Sequence, residues 1–161
     1  MKLLFKQKIF SWFDSYDIYD ERGNRYFTVK GKPSFGHKLF IHNSAGEHIA
    51  TLRERLISLL PRFDIYIGDD CVGSIKKEFK LLRPTYNIDC NGWKIMGNFF
   101  EFDYEISDYK GNTVAVISKQ LLNFTDTYVI DVCNPDDALF ALLVVLSIDA
   151  SKDTRAKRAS N

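Results

Sequence analysis

The chain is poor in the residues from which disulfide frameworks are built. Its 161 residues include only three cysteines, Cys71, Cys90 and Cys133, and no two of them form a CxxC pair. An odd number of widely spaced cysteines argues against a disulfide framework and favours a reducing compartment. Cys133 lies just before a predicted helix N-terminus, which would stabilise a thiolate, but a small buried residue is the stronger expectation.

The chain also lacks an excess of one charge and a long apolar run. Lys and Arg total 22 against 21 for Asp and Glu, so the net charge of +1 gives no general attraction to nucleic acid. No run reaches the roughly 18 apolar residues that a membrane-spanning helix requires. The N-terminal segment is interrupted by Lys6 and Lys8, so it predicts a first strand rather than a signal peptide. We therefore expect a cytoplasmic protein.

Sequence motifs of catalysis and of cofactor binding are missing as well. There is no Gly-rich phosphate loop opening a helix, no GxSxG and no HExxH. Adjacent carboxylates occur at Asp69–Asp70 and Asp136–Asp137, but turn and helix-cap roles explain both pairs. The sequence therefore predicts a protein that is not an enzyme and that uses no cofactor.

One strongly apolar segment lies near the C-terminal end. From Ala138 to Leu146 there is no polar residue over about two and a half helical turns. A helix that is apolar on every side must be surrounded by protein or by lipid. Asn134 suits the N-cap and Pro135 the first helical position. We predict a helix over 135–150, followed by a basic and flexible tail over 151–161.

A recurring pattern indicates many short strands before this helix. An aromatic residue or leucine, any residue, and isoleucine precede a turn again and again, mostly at steps of 23 or 24 residues. Three of the turns share the form Asx-x-x-Gly, in which the glycine supplies a positive φ. They lie at Asp20–Gly23, Asn43–Gly46 and Asp108–Gly111. The isoleucines of the pattern are Ile18, Ile41, Ile65, Ile88, Ile106 and Ile130.

Period-two alternation indicates that one face of these strands is buried. In the segment 62–67, one face carries Phe63, Ile65 and Ile67, and the other carries Arg62, Asp64 and Tyr66. About twelve antiparallel strands and one all-apolar helix satisfy each other if the strands form a closed barrel with the helix in its bore. The predicted fold is thus mainly β, with one barrel domain over 1–150 and a central hydrophobic helix at 135–150.

The segment from Tyr26 to Ile67 carries motifs of a known family. It reads YFTVKGKPSFGHKLFIHNSAGEHIATLRERLISLLPRFDIYI, with Gly-x-x-Leu at Gly36–Leu39 and Leu-x-Ser-Leu-x-Pro-x-Phe-x-Ile at Leu56–Ile65. These motifs and the order of elements resemble the LURP-one-related family of the tubby C-terminal-like group, which includes small bacterial members. Asn43 stands where the family pattern has Asp, but it is also suited to the turn.

The resemblance implies a closed barrel of about twelve strands around a central C-terminal helix. It implies no specific activity, because one fold hosts many roles. Relatives in the wider group include phosphoinositide-binding tubby domains and phospholipid scramblases. The chain lacks the scramblase-type cysteine cluster, and the lipid-site residues of tubby domains find no residue-by-residue match in it.

Two lysine-bearing segments are the candidate anion sites. The first surrounds the loop from Gly31 to Gly36, and the second lies in and after the predicted strand Cys71–Phe79. Either segment would hold a phosphate or a lipid headgroup through charge-assisted hydrogen bonds. Interspersed acids such as Glu78 favour the alternative of a solvated face without a ligand. The candidate residues are Lys30, Lys32, His37, Lys38, Lys76, Lys77, Lys80 and Arg83.

Three histidines are weaker candidates for a metal site, and three aromatic residues are weaker candidates for a membrane contact. His37, His42 and His48 fall within twelve residues, but a zinc site needs three or four converging ligands, so we expect surface histidines and no metal. His42 and His48 flank a turn and are expected in cross-strand positions. The aromatic residues Trp12, Phe13 and Trp93 are expected in the core or at a barrel end rather than at a membrane interface.

Three functional hypotheses follow from the sequence. The first is a non-enzymatic barrel that binds an anionic phospholipid headgroup, or a protein partner, at a membrane surface. The second is a membrane-associated, scramblase-like protein in which the helix over Ala138–Leu146 leaves the barrel. The third is a small-ligand carrier or enzyme, which requires an empty internal cavity.

Overall fold

The computed structural model describes residues 1–6, 15–32, 36–58, 60–80, 83–89, 91–98, 103–122 and 125–159. For residues 6, 79, 80, 83–87, 98, 121, 122, 125, 126 and 152–159 it describes the backbone only. The strands are β1 (Lys2–Lys6), β2 (Ser15–Asp20), β3 (Arg25–Gly31), β4 (Lys38–Asn43), β5 (His48–Glu54), β6 (Arg62–Ile67), β7 (Asp70–Lys80), β8 (Arg83–Ile88), β9 (Lys94–Asn98), β10 (Asp103–Ser107), β11 (Thr113–Leu122) and β12 (Thr125–Val132). A 3-10 turn over Pro135–Asp137 leads into α1 (Ala138–Ala159).

Each strand pairs antiparallel with its neighbours in sequence, and β1 returns to pair with β12. The spatial order is therefore β1, β12, β11 and so on down to β2, which pairs with β1 again. The β1–β12 ladder runs from Lys2 opposite Asp131 to Lys6 opposite Thr127. In addition, the N-terminal amino group of Met1 donates to the carbonyl of Val132 at 2.7 Å.

The predicted closed antiparallel barrel needs correction, because two of the strand pairs in the ring share far fewer paired residues than the others. Among the described residues, the β1–β2 contact has two pairs in register, Leu3 with Asp20 and Leu4 with Tyr19. The β8–β9 contact also has two there, whereas β11 and β12 share eight. At these two seams hydrogen bonding contributes least to the closure, and the packing of apolar side chains inside contributes correspondingly more.

The boundaries predicted for the helix also need correction. The N-cap is confirmed, since Asp136 N–H donates to Asn134 Oδ1 at 3.2 Å. Residues 135–137, however, form a 3-10 turn, and the α-helix continues to Ala159 instead of ending at 150. The helix continues beyond the apolar run through lysine, arginine and alanine, which are good helix formers. The 22 residues of α1 make it about 33 Å long.

The core lies between the inner faces of the strands and the first half of α1. Every residue from Leu142 to Leu146 is fully buried, so no side of the helix at this level faces water. The same apolar cluster includes inward residues from strands all around the ring, such as Leu3, Ile41, Ile65 and Ile117. At about 25 cal/mol per Å² of apolar surface, this burial is the main stabilising term for the fold.

Tight turns connect the strands at one end of the barrel, which we call the turn end. The three Asx-x-x-Gly turns predicted from the sequence are confirmed there. In each, the N–H of the glycine donates to the carbonyl of the first residue, at 3.0, 3.0 and 3.1 Å. The glycines have φ values of 81°, 84° and 88° at Gly23, Gly46 and Gly111. The opposite end, called the far end below, carries the first lysine segment, and the second runs along β7 toward it.

Alternation in β6 holds for Phe63 and Ile65 but fails at two positions. Ile67, predicted to be buried, is 38% exposed, because it is the last residue of β6, next to the connection to β7. Asp64, predicted on the wet face, is only 5% exposed. Its burial follows from the arginines that cover it, described next.

Candidate functional site

The first lysine segment is tied to the end of β5. The Lys32 N–H donates to the carbonyl of Lys38 at 3.0 Å, which closes the loop between β3 and β4. His37 Nδ1 lies 2.6 Å from Glu54 Oε2, and the His37 backbone N–H donates to the same oxygen at 3.0 Å. The His37 side chain is thus engaged in fixing the loop. Lys30 is exposed on β3, opposite Phe40 of β4.

The second lysine segment is less available to a ligand. Lys76 Nζ lies 2.6 Å from Asp89 Oδ2, and Ser74 Oγ donates to the same oxygen at 2.8 Å. Burial opposes ionisation of Asp89, but the bonds from Lys76 and Ser74 outweigh it and lower the pKa of this carboxyl. Lys77 is only 8% exposed and belongs to the inward-facing register of β7. Lys80 and Arg83 are the last pair of the β7–β8 ladder, and their side chains lie outside the described part.

Lys38 has a different environment from the other predicted residues. It belongs to the outward register of β4, since the next residue, Leu39, is buried. Its Nζ lies 5.0 Å from the centroid of the Phe40 ring, within the range of a cation–π contact. Directly opposite Lys38 on β5 stands Arg53, which is exposed.

Sequence reasoning missed three arginines that lie between the two lysine segments. Arg53 on β5 is opposite Lys38 of β4 and also opposite Asp64 of β6. Arg62 on β6 is opposite Lys76 on β7, and Arg55 follows the end of β5. The alternation of β5, with Leu52 buried and its neighbour polar, was a usable signal for Arg53.

Asp64 neutralises two of these arginines but not the third. Its Oδ2 lies 3.0 Å from Arg55 Nε and 2.8 Å from Arg55 Nη2, and its Oδ1 accepts from Arg62 Nε at 3.2 Å. A buried carboxylate with two guanidinium donors is a well satisfied charge. Among the ion pairs of the described side chains, none includes Arg53 or Lys38. Neither cation therefore has an ion-pair partner among the described side chains, although Asp64 stands opposite Arg53 on β6.

Two adjoining surface pockets share Arg53 and Tyr66, and together we call them the β4–β6 groove. The larger, of about 580 Å³, is lined by Arg53, Glu54, Arg55, Leu56, Ile57, Asp64 and Tyr66. The smaller, of about 290 Å³, is lined by Lys38, Phe40, His48, Thr51, Arg53, Tyr66, Gly68 and Asp69. The larger volume falls in the range of small-ligand sites. Arg53 stands where the two pockets meet, with Lys38 beside it.

The cross-strand position of His42 and His48 is confirmed. The two residues pair between β4 and β5, with ring centroids 5.6 Å apart. His48 Nε2 lies 2.9 Å from both the carbonyl of Ala50 and Thr51 Oγ1. Burial, the charge of Lys30 and the nearby His48 lower the pKa of His42, so its neutral form is favoured. Within the described ranges, no group of three metal-ligating side chains occurs.

The remaining sequence expectations had mixed outcomes. Trp93 is in the core as predicted, with its ring centroid 6.3 Å from that of Phe140. Cys133, predicted to be buried, is exposed, because it follows the last residue of β12 at the turn end. Cys71 is exposed too. The aromatic pair Trp12 and Phe13, and Cys90, lie outside the described residues.

The burial of α1 bears on the two alternative hypotheses. A carrier would need its cavity at the level of Leu142 to Leu146, and the helix occupies that space. A scramblase-like role is not favoured, because the same apolar residues are packed inside the chain's own sheet. In the part of the chain that is described, no helix combines the length and the apolar character needed to cross a membrane.

Comparison with known proteins decides the family. The sequence profile described as LURP-one-related matches residues 1–149. The chain belongs to the LURP-one-related family. This LURP-one-related protein is 29% identical over 150 residues to the uncharacterized protein YxjI of Bacillus subtilis (strain 168), and the match covers 92% of each chain. It is also similar to an X-ray structure of a protein from Arabidopsis thaliana, with a TM-score of 0.62 and 21% identity. That match covers 92% of this chain and 89% of the other, and it concerns the fold alone.

Proposed function

We propose that this LURP-one-related protein is a non-enzymatic, cytoplasmic protein that binds an anionic phospholipid headgroup in the β4–β6 groove, at the surface of a membrane. The observation that carries this proposal is the pair Lys38 and Arg53, which lie directly opposite each other on β4 and β5. Both cations point away from the core and border the same pocket.

Like charges at directly opposite positions of an antiparallel pair destabilise the sheet. An anion bound between them would remove that repulsion, so the site gains more from an anion than two isolated lysines would. Arg53 adds a planar guanidinium that can bond a phosphate through two N–H groups, and Lys38 adds a point charge. Asp64 does not compete for Arg53, because Arg55 and Arg62 already donate to it.

Co-sedimentation with vesicles tests the proposal. Vesicles of phosphatidylcholine alone are compared with vesicles containing phosphatidylserine, at low and at high salt, because exposed charge pairs are screened by salt. We expect binding to the anionic vesicles at low salt, and a roughly thirtyfold loss for the double variant Lys38→Gln/Arg53→Gln, as expected for two basic contacts of about 1 kcal/mol each.

The matched control is Lys94→Gln/Lys110→Gln, which removes the same net charge from exposed positions beside turns of the turn end. Its binding should fall much less than that of the groove variant. Absence of binding to anionic vesicles at low salt would refute the lipid proposal. An equal loss in both double variants would show a general charge effect without a site.

A further inference from the structure

Two exposed apolar residues, Leu56 and Ile57, project beside the β4–β6 groove at the far end of the barrel, and we call them the apolar tip. Ile57 is 97% exposed and Leu56 is 51% exposed, in the segment that follows β5. Among the large apolar residues that the structure describes, Ile57 is the most exposed. Single exposed apolar residues are common, but an almost fully exposed isoleucine beside a half-exposed leucine forms a small apolar contact surface.

The base of this tip is fixed by backbone contacts. The N–H of Glu54 donates to the carbonyl of His37, and the N–H of Arg55 donates to the carbonyl of Arg62, both at 2.8 Å. The neighbouring loop closes against Leu56 at Gly36, where a Cβ would lie only 2.8 Å from Leu56 Cδ2. The tip is therefore presented in a defined position, so little ordering entropy would be lost on binding.

Cations flank the apolar tip on the groove side. Leu56 and Ile57 line the same pocket as Arg53 and Arg55, and Lys38 borders the adjoining pocket. The two acids of that lining are engaged elsewhere, since Asp64 is paired with Arg55 and Glu54 contacts His37. An apolar tip flanked by cations matches the interface of an anionic bilayer, where acyl chains lie just below the phosphates. A second copy of the chain would bring like charges together around this tip, which opposes self-association.

We infer that Leu56 and Ile57 enter the interfacial layer of an anionic bilayer while Lys38 and Arg53 hold a headgroup phosphate. This inference rests on the proposed function. It adds the orientation of the protein at the membrane, with the far end of the barrel toward the lipid. The apolar contact would make vesicle binding partly resistant to salt, because only the charge contacts are screened.

The decisive variant is Ile57→Ser, with Met96→Ser on β9 as the matched control. Met96 is 63% exposed, so both substitutions remove an exposed apolar side chain. We expect Ile57→Ser to weaken binding to phosphatidylserine vesicles about tenfold, in proportion to the apolar area that leaves water. Met96→Ser should bind as the wild type does. Thermal melting of both variants should match the wild type, because neither residue packs in the core.

A water-soluble headgroup, glycerophosphoserine, separates this inference from the proposed function. Its binding, followed by NMR or calorimetry, should be unchanged in Ile57→Ser and lost in Lys38→Gln/Arg53→Gln. If Ile57→Ser binds vesicles as the wild type does while the double variant fails, the inference is wrong and the proposed function stands. If the double variant also binds normally, both are wrong.

Two further results would overturn the inference in favour of other occupants of the tip. A dimer in solution, measured by light scattering without vesicles and abolished by Ile57→Ser, would assign the tip to a second copy. Equal binding of the wild type to neutral and to anionic vesicles would show that the net negative charge of the headgroup has no role, which contradicts the inferred contact of Lys38 and Arg53 with an anionic lipid. An Ile57→Trp variant gives direct support if its emission shifts to the blue and is quenched by brominated lipid beyond the wild-type signal.

Discussion

Lys38 of β4 and Arg53 of β5 occupy directly opposite positions on the outer face of the sheet. They are 15 residues apart in sequence, and only the antiparallel register brings them together. Such a pair works against folding, since like charges that face each other across two strands repel. Its presence is easier to understand as part of a binding surface than as part of the scaffold, and this gives a first prediction.

Removing the repulsion should stabilise the fold while it weakens anion binding. A double-mutant cycle with Lys38→Gln and Arg53→Gln should show an unfavourable coupling of about 0.2–1 kcal/mol between the two side chains. The free energy of unfolding, measured with urea at low salt, gives this coupling, and it should shrink at high salt. A favourable coupling would mean that the two groups share a ligand or counter-ion already in the free protein.

Leu142 tests the placement of α1 inside the sheet. The side chain is fully buried on a helix whose neighbours from Ala141 to Leu146 are also fully buried. Leu142→Asp would place an unpaired charge in the core and should prevent folding, and Leu142→Ala should cost about 2–5 kcal/mol. Circular dichroism and thermal melting measure both effects. A soluble Leu142→Asp variant that melts cooperatively would contradict this placement, and Leu142→Met serves as the tolerated control.

Gly97 is required where β9 meets β10. Its φ is 141°, and a Cβ there would lie 2.6 Å from both the carbonyl oxygen of Asp103 and the Cα of Tyr104. Gly97→Ala should therefore destabilise the protein by more than about 1–3 kcal/mol, the cost of a strained backbone alone. Gly111→Ala is the control, because Gly111 also has a positive φ but no atom within 4 Å of the added Cβ. Equal losses in the two variants would show that the steric contact at Gly97 has no effect.

His42 should make stability depend on pH. Burial, Lys30 and His48 lower its pKa below the usual 6.5, so the unfolded chain binds a proton more readily than the folded one. Its contribution is fully present above about pH 6.5 and is lost as the pH falls toward the folded pKa. Urea unfolding between pH 8 and pH 5 should show this decline in the wild type and a smaller decline in His42→Gln. Identical slopes would assign the pH dependence to other groups.

Much of the fold could be predicted from the sequence, because the determining interactions are local. The Asx-x-x-Gly turns, such as Asp20–Gly23, depend on one side chain bonding nearby backbone and on one glycine that tolerates positive φ. The start of the helix is set by Asn134 and Pro135. Alternation identified Phe63 and Ile65 as core residues for the same local reason.

The failures occur where a residue's environment depends on another strand. Ile67 is exposed because the strand that the alternation would continue ends there, and Asp64 is buried because Arg55 and Arg62 converge on it. Cys133 is exposed because the chain leaves the sheet just before it. The thin β1–β2 and β8–β9 seams are likewise absent from any local pattern, since the number of paired residues depends on how two strands align.

The candidate site, too, could be predicted from the sequence only in part. That lysines gather around the β3–β4 loop and along β7 follows from composition and spacing alone. The pairing of the strands was needed to show that Lys76 is held by Asp89, that Lys77 is buried, and that Lys38 shares a groove with Arg53. Charges act over a few ångströms in space, and antiparallel pairing sets those distances between residues that are far apart in the chain.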